Sequence, residues 1–251
     1  MADRLLADRS ATIALAEVAA SPSDKCHTLT HWIGQVLYRR TGDAPRAFQE
    51  CTGTCFGGCY HGVVEGYLKN QSGPDPAGLA GVCDEISDHG SGLFQDCLHG
   101  LGHGMMALTG DELPQSLAIC DQFTKPDDCY LGVFMENSTS PTNPDHPSKF
   151  LNPKDPLYPC NDLPEKYLKT CYTAQSNYFY VLSRGDWSKT IDLCLSVPTA
   201  YQEGCVSYIG GNVIFFGQAD KLDDICNKLA DKSLVQACFR GGQETQAGLS
   251  R

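Results

Sequence analysis

The feature that most constrains the fold of this chain is a cysteine that recurs at intervals of 32 to 42 residues. The seven recurring cysteines are Cys26, Cys59, Cys97, Cys129, Cys171, Cys205 and Cys238. A period in the thirties is typical of stacked helix pairs, each of which buries its apolar face against its neighbours. We therefore predict an all-α fold: a right-handed αα-hairpin superhelix, or solenoid, of about seven units.

Each unit is predicted to contain a first helix, a short turn and a second helix. Apolar residues at helical spacing mark the first helices, for example Leu113, Leu117 and Cys120. We expect first helices over residues 4–19, 44–51, 77–86, 112–122, 164–169, 187–196 and 221–230. The second helices are predicted to begin at the recurring cysteines and to run for about ten to fifteen residues.

Four of the recurring cysteines are followed, three residues later, by a glycine inside a predicted helix: Gly62, Gly100, Gly132 and Gly241. Glycine in a helix costs about 1 kcal/mol relative to alanine, so its recurrence requires a reason. Close approach of a neighbouring helix backbone, or of a ligand, would provide that reason.

The regular period favours one repeat domain over residues 1–251, interrupted once. Residues 138–159 contain six prolines and account for the 42-residue gap. Long ordered loops are usually functional, so we expect a lid over the concave face, with a disordered insertion as the alternative. The predicted domain then has three parts. Residues 1–137 form the half with the metal site, residues 138–159 form the loop, and residues 160–251 form the C-terminal repeats.

The remaining seven cysteines are predicted to form disulfides with the recurring ones. An αα-hairpin brings the end of a first helix close to the start of the second, which allows a disulfide across each turn. The predicted pairs are Cys51–Cys59, Cys83–Cys97, Cys120–Cys129, Cys160–Cys171, Cys194–Cys205 and Cys226–Cys238, and the remaining Cys26 pairs with Cys55. The alternatives are buried free thiols and thiolate metal ligands, but the spacing is not that of a zinc ribbon.

Charge and cysteine content limit the partners and the compartment. The net charge of -11 and the lack of Lys/Arg clusters argue against nucleic acid and anionic membranes as partners. No apolar stretch is long enough to cross a bilayer. Disulfides indicate an extracytoplasmic protein, periplasmic or secreted. Because Glu17 interrupts residues 11–20, we predict an amphipathic helix there and no signal peptide; a signal would already have been removed.

Five of the seven histidines follow recurring cysteines closely: His27, His31, His61, His99 and His103. Two pairs of them, and the pair His61 and Glu65, are four residues apart, which places their Cβ atoms about 5–6 Å apart on one helix face. Two side chains at that spacing can bind one metal ion. Because equivalent helix faces of a solenoid line one wall, we expect these residues to converge, joined by Glu136 from the fourth unit.

These residues are predicted to form a metal site with one or two ions, with His27, His31, His61, Glu65, His99, His103 and Glu136 as ligands. Imidazole suits copper, iron and zinc, and the set exceeds what one tetrahedral zinc needs. The competing interpretation is a hydrogen-bonded polar seam without metal. His89 and His146 fall outside the register and are expected to be structural.

The period and the cysteine placement resemble secreted Sel1-like and tetratricopeptide-type repeat proteins in architecture, although their residue consensus does not match. The C-x-H-G-x-x-H/E pattern resembles an uncharacterised bacterial Cys/His-rich family. The ligand pattern is also similar in concept to deoxyhypusine hydroxylase, in which His-Glu motifs on stacked helical repeats bind two irons. The motif here is His-x-x-x-Glu/His, so this resemblance implies no catalytic residue.

We expect a metal-dependent enzyme, an oxidoreductase that uses O₂ on a small-molecule or peptide substrate in the concave groove. Glu65 or Glu136 would act as a ligand or proton acceptor. One alternative is a zinc-dependent hydrolase, in which metal-bound water is the nucleophile. Another is a non-enzymatic scaffold that binds a peptide or protein, with structural histidines.

Overall fold

The computed structural model describes residues 10–21, 23–52, 54–55, 57–70, 83, 92–142 and 148–249. Within these ranges all regular structure is helical and no strand occurs. The prediction of an all-α protein is confirmed, whereas the superhelical arrangement of seven units stays a prediction. None of the described helices is long and apolar enough to cross a membrane.

Twelve α-helices are described. In chain order they are α1 (Ala11–Val18), α2 (Ser23–Thr41), α3 (Ala44–Glu50), α4 (Gly58–Lys69), α5 (Gly92–Thr109), α6 (Leu113–Cys120), α7 (Pro126–Thr139), α8 (Glu165–Leu182), α9 (Trp187–Ser196), α10 (Thr199–Phe215), α11 (Leu222–Cys226) and α12 (Lys232–Leu249). Short 3₁₀ helices cover Ser140–Thr142, Cys160–Asp162 and Ala219–Lys221.

The helices group into two compact units, one made of the chain up to Val133 together with its end from Gly248, and one that spans Phe134–Ala247. In the first unit α4 packs between α2 and α5, and the fully buried side chains of Ile33, Val63 and Leu101 come from these three helices. In the second unit α8 packs against both α9 and α10. The predicted single domain over 1–251 stays a prediction.

All seven predicted disulfides are present, with Cα–Cα distances of 5.6 to 5.8 Å. All fourteen cysteines lie in described ranges, and none of them is free. The chain therefore offers no thiolate to a metal ion. Seven disulfides favour an oxidising environment outside the cytoplasm, because cytosolic thiols are kept reduced.

Several predicted helix boundaries are wrong. Helices α8, α10 and α12 begin six residues before Cys171, Cys205 and Cys238. The recurring cysteine marks the position where a disulfide ties the helix to the preceding segment, whereas a proline N-cap sets the start of α8 and of α10. The prediction of a separate helix over residues 164–169 is also wrong, because α8 contains all but the first of these residues.

The other first helices are found near their predicted positions, as α1, α3, α6, α9 and α11. The last of these is only Leu222–Cys226, preceded by a 3₁₀ turn, and is shorter than the predicted 221–230. Residues 4–9 of the first predicted helix lie outside the described residues, and so does the helix over 77–86 apart from Cys83.

The recurring glycines are required by close contact between helix backbones. A Cβ atom on Gly62 would lie 1.9 Å from the carbonyl oxygen of His31, and one on Gly132 would lie 2.1 Å from that of His99. A Cβ atom on Gly241 would likewise lie 1.9 Å from the carbonyl oxygen of Ser207. These distances are too short for any side chain, so the expected close approach of neighbouring helices is confirmed.

The proline-rich segment begins later than predicted, because α7 continues to Thr139 and a 3₁₀ turn follows. Residues 148–159 are held within the second unit by the buried side chain of Gln175, whose Nε2 donates hydrogen bonds to the carbonyls of Pro156 and Tyr158. Residues 143–147 lie outside the described ranges. The role of this segment as a lid stays a prediction.

Candidate metal centre

Three helices of the first unit that pack side by side carry the motif histidines. Helix α2 carries His27 and His31, α4 carries His61, and α5 carries His99 and His103. The His61 ring is central: its centroid lies 5.3 Å from His27, 5.2 Å from His31, 5.0 Å from His99 and 5.3 Å from His103. The prediction that the five imidazoles converge is therefore confirmed.

One nitrogen from each of His27, His31 and His61 forms a group that could hold a metal ion, with all three atoms within 4.8 Å of one another. The Nε2 atoms of His27 and His31 are 3.0 Å apart, and Nδ1 of His61 lies 3.3 Å from Nε2 of His31. Tetrahedral zinc with Zn–N bonds of about 2.0–2.1 Å places its ligand nitrogens roughly 3.3 Å apart. Two of the three nitrogen–nitrogen distances are thus close to those between ligands of one ion.

The remaining ring nitrogens of His27 and His31 are engaged by outer partners. Nδ1 of His27 donates to the backbone carbonyl of Cys55 at 2.8 Å, and Nδ1 of His31 donates to Oε1 of Glu65 at 2.7 Å. The other carboxylate oxygen of Glu65 accepts a hydrogen bond from Gln35 at 2.5 Å. Metal-binding histidines usually have such partners, which fix the ring so that Nε2 presents its lone pair.

Electrostatics keeps most of this cluster neutral and makes the carboxylate anionic. Burial, together with the neighbouring His31, lowers the pKa of His27 to about 3. Burial also lowers the pKa of His61 well below its usual range. It acts to raise the pKa of Glu65, but the charge and the hydrogen bond of His31 outweigh it and lower that pKa to about 2.

Nε2 of His31 lies within hydrogen-bond distance of two other ring nitrogens. Its neighbours are Nε2 of His27 and Nδ1 of His61, and two lone pairs that face each other at this distance repel. A proton on Nε2 of His31 can be directed at only one of the two neighbouring nitrogens. A metal ion at the centre satisfies all three nitrogens together.

His61 contains a second unusual atom. Its Nε2 is fully buried and has no hydrogen-bond partner, and the residue is only 3 % exposed. A buried polar group without a partner costs about 1–3 kcal/mol, so native structures rarely retain one without a function.

Helix α5 repeats the arrangement of α2. The Nε2 atoms of His99 and His103 are 2.9 Å apart, and His99 also makes a hydrogen bond to the backbone of Asp128. Burial, together with the neighbouring His103, lowers the pKa of His99 well below its usual range. The side chain of His103 is buried as well.

In the second unit, asparagines stand at the repeat positions that histidines occupy in the first unit. There the Asn212 amide nitrogen donates to Oδ1 of Asn177 at 2.9 Å, and the Asn177 amide nitrogen donates to Oγ of Ser138 at 3.2 Å. Each amide donor in this ladder meets an acceptor. The polar-seam interpretation therefore describes the second unit, whereas in the first unit pairs of imidazole nitrogens lie opposite each other at 2.9 and 3.0 Å.

The two predicted acidic ligands occupy different surroundings. Glu65 lies behind His31, with both oxygens engaged, and so orients a histidine rather than facing the three nitrogens. Glu136 is half-buried in the part of α7 that belongs to the second unit, and its role stays a prediction. His89 and His146 lie outside the described residues.

The sequence analysis missed the outer partners Gln35, Cys55 and Asp128. Gln35 follows His31 by four residues, so the spacing that identified the histidine pairs also applies to it. The contributions of Cys55 and Asp128 come from backbone groups, which no residue type indicates. Comparison with known proteins found no matching family model, no matching curated protein and no matching solved structure.

Proposed function

We propose that this protein is a metal-dependent enzyme whose ion is bound by Nε2 of His27, Nε2 of His31 and Nδ1 of His61. The observation that carries the proposal is the convergence of three ring nitrogens with Nε2 of His31 facing two others at 3.0 and 3.3 Å. The outer hydrogen bonds that Nδ1 of His27 donates to Cys55 and Nδ1 of His31 donates to Glu65 support it, because they hold both rings in the metal-binding tautomer.

The donor set favours a transition metal. Three imidazole nitrogens suit copper, iron and zinc and are poor ligands for magnesium or calcium. Three protein ligands also leave a coordination position for water, O₂ or substrate, which distinguishes catalytic metal sites from closed structural ones. This favours an enzyme over a non-enzymatic scaffold.

The reaction class we propose is oxidation with O₂, by a copper or iron ion, of a small-molecule or peptide substrate. A zinc-dependent hydrolase is the second candidate, because a three-histidine site also activates bound water. A hydrolase gains from a carboxylate base close to that water, but both oxygens of Glu65 are engaged by His31 and Gln35.

The first test is metal content and affinity. Elemental analysis of natively purified protein is expected to find copper, iron or zinc, and metal-free protein is expected to rebind Cu²⁺ or Zn²⁺. His31→Ala removes the central ligand and is expected to abolish tight binding at the site of His27, His31 and His61. Glu65→Gln keeps the shape but not the charge behind His31 and is expected to weaken binding by about 10- to 100-fold.

The matched control for the second variant is Glu50→Gln, an exposed glutamate on α3 whose substitution is expected to leave the affinity unchanged. Two outcomes would contradict the proposal and favour the scaffold. The first is protein that neither retains nor rebinds metal, and the second is His31→Ala protein with wild-type affinity.

The second test separates the two reaction classes. Copper- or iron-loaded protein is expected to consume O₂ with ascorbate as electron donor, faster than the His31→Ala variant at the same total metal. Zinc-loaded protein that hydrolyses p-nitrophenyl acetate, combined with no O₂ uptake in the copper and iron forms, would instead support the hydrolase.

A further inference from the structure

We infer that His61 is shared by two metal ions, one on each ring nitrogen, and that His99 and His103 bind the second ion. The inference rests on the proposed function, because the first ion is the one bound by His27, His31 and Nδ1 of His61. The second ion belongs to the same chemical class, a copper or zinc ion, since its ligands are again imidazole nitrogens.

The first argument is that the two groups of three rings have matching dimensions. In the first group the ring centroids of His27 and His31 are 4.5 Å apart, and they lie 5.3 and 5.2 Å from His61. In the second group those of His99 and His103 are 4.7 Å apart, and they lie 5.0 and 5.3 Å from His61. Corresponding distances differ by at most 0.3 Å, so the three rings of the second group lie as close together as those of the first.

The second argument is that the outer helices present their histidines in the same way. Each contributes two histidines four residues apart, with Nε2–Nε2 distances of 3.0 Å on α2 and 2.9 Å on α5. The first histidine of each pair is also fixed by a backbone group, which comes from Cys55 for His27 and from Asp128 for His99. The features that support the first ion are therefore repeated at the second position.

The third argument is the orientation of the His61 ring. Its Nδ1 faces His31, so its Nε2 lies on the other side of the ring, where it is buried and has no partner. The adjacent ring carbon, Cδ2, would lie 3.3 Å from a Cβ atom on Gly100, which places that edge of the ring against α5. An ion held by His99 and His103 would supply the partner that Nε2 lacks.

Binding of both ions requires that His61 lose its ring N–H proton. A neutral imidazole carries one proton on its two ring nitrogens, and a metal ion on each nitrogen leaves no site for it. His61 therefore loses this proton to solvent when the second ion binds and becomes an imidazolate bridge. No oxidant or reductant takes part in this step.

The test is a titration of metal-free wild-type protein with Cu²⁺, followed by calorimetry and by elemental analysis after gel filtration. We expect two ions per chain in the wild type and one in the His99→Ala/His103→Ala double variant, with the first site retained. The matched control is His89→Ala/His146→Ala, which removes two histidines outside the motifs and is expected to leave two ions bound.

Electron paramagnetic resonance provides a readout that is independent of affinity. Two Cu²⁺ ions joined through one imidazolate couple magnetically, so the fully loaded wild type is expected to show less signal than two isolated ions. The His99→Ala/His103→Ala variant is expected to show the full signal of one isolated ion. Helical content by circular dichroism verifies that the variant has folded.

The stoichiometry of the wild type decides the inference even if the variant does not fold. One ion per chain overturns the shared His61 and leaves the proposed function standing, whereas no bound ion overturns both. The inference that two ions share His61 is also overturned if the double variant retains two ions. It is overturned as well if the two ions of the wild type show no magnetic coupling.

Discussion

At the scale of single residues, the histidine cluster depends on neighbours that have no side chain. Gly62 lies against the His31 carbonyl and follows His61 directly, and Gly100 lies against the His61 backbone between the two histidines of α5. These contacts let the three helix backbones approach closely enough for imidazole nitrogens to lie about 3.3 Å apart, the spacing that one tetrahedral ion requires. Here packing and ligand geometry depend on the same positions.

We predict that Gly62→Ala lowers the free energy of unfolding by about 1–3 kcal/mol, because the new Cβ would overlap the His31 carbonyl oxygen and push α2 and α4 apart. The same shift separates His61 from His31, so affinity for Cu²⁺ is expected to fall as well. Urea denaturation and metal titration measure the two effects.

Gly92→Ala is the matched control for that substitution, since a Cβ atom there meets nothing within 4 Å. It is expected to leave both stability and affinity unchanged or slightly improved. Equal behaviour of the two alanine variants would contradict the proposed role of close helix contact.

At the scale of elements, six of the seven disulfides tie a helix to the segment before it, and Cys26–Cys55 ties α2 to the segment before α4. In the second unit Cys194 near the end of α9 is bonded to Cys205 in the middle of α10, and both are fully buried. The α9–α10 connection is short, so the bond fixes how the two helices pack against each other. The cysteine therefore specifies a contact between helices and not the residue at which a helix starts.

We predict that Cys194→Ala/Cys205→Ala lowers the free energy of unfolding of the second unit by about 3 kcal/mol, since the open loop restores chain entropy to the unfolded state. Urea denaturation under non-reducing conditions measures the loss. Metal binding is the internal control, because this pair lies outside the unit that contains the histidines, and its stoichiometry is expected to match the wild type. A stability loss below about 1 kcal/mol would contradict the role of this disulfide.

At the scale of the whole molecule, the motif histidines are confined to one of the two units. The first unit contains all five motif histidines, and the second has an amide ladder at the equivalent positions. The repeat is thus able to form with or without metal-type ligands. The histidines of the first unit therefore need a reason beyond helix packing.

We predict that metal binding protects the first unit against hydrogen exchange. An ion at one hundred times its Kd stabilises the folded form by about 2.7 kcal/mol, so the slowest amides of α2, α4 and α5 are expected to exchange about 100-fold more slowly. Mass spectrometry of peptides measures this, with α8 as internal comparison and His27→Ala/His31→Ala as control. Equal protection of all four helices would contradict a site confined to the first unit.

Three features could be predicted from the amino-acid sequence alone: the all-α class, the seven disulfide pairs and the convergence of five histidines. These features follow from repetition, because equal spacing places equivalent residues of neighbouring helices on the same face. Only the tertiary structure decided which nitrogen faces which, that Glu65 lies behind His31, and that one nitrogen of His61 has no partner. Those properties depend on ring orientation and on hydrogen bonds between residues some thirty positions apart. Residue spacing carries no information about such contacts, because it specifies a helix face but not the rotation of a side chain on that face.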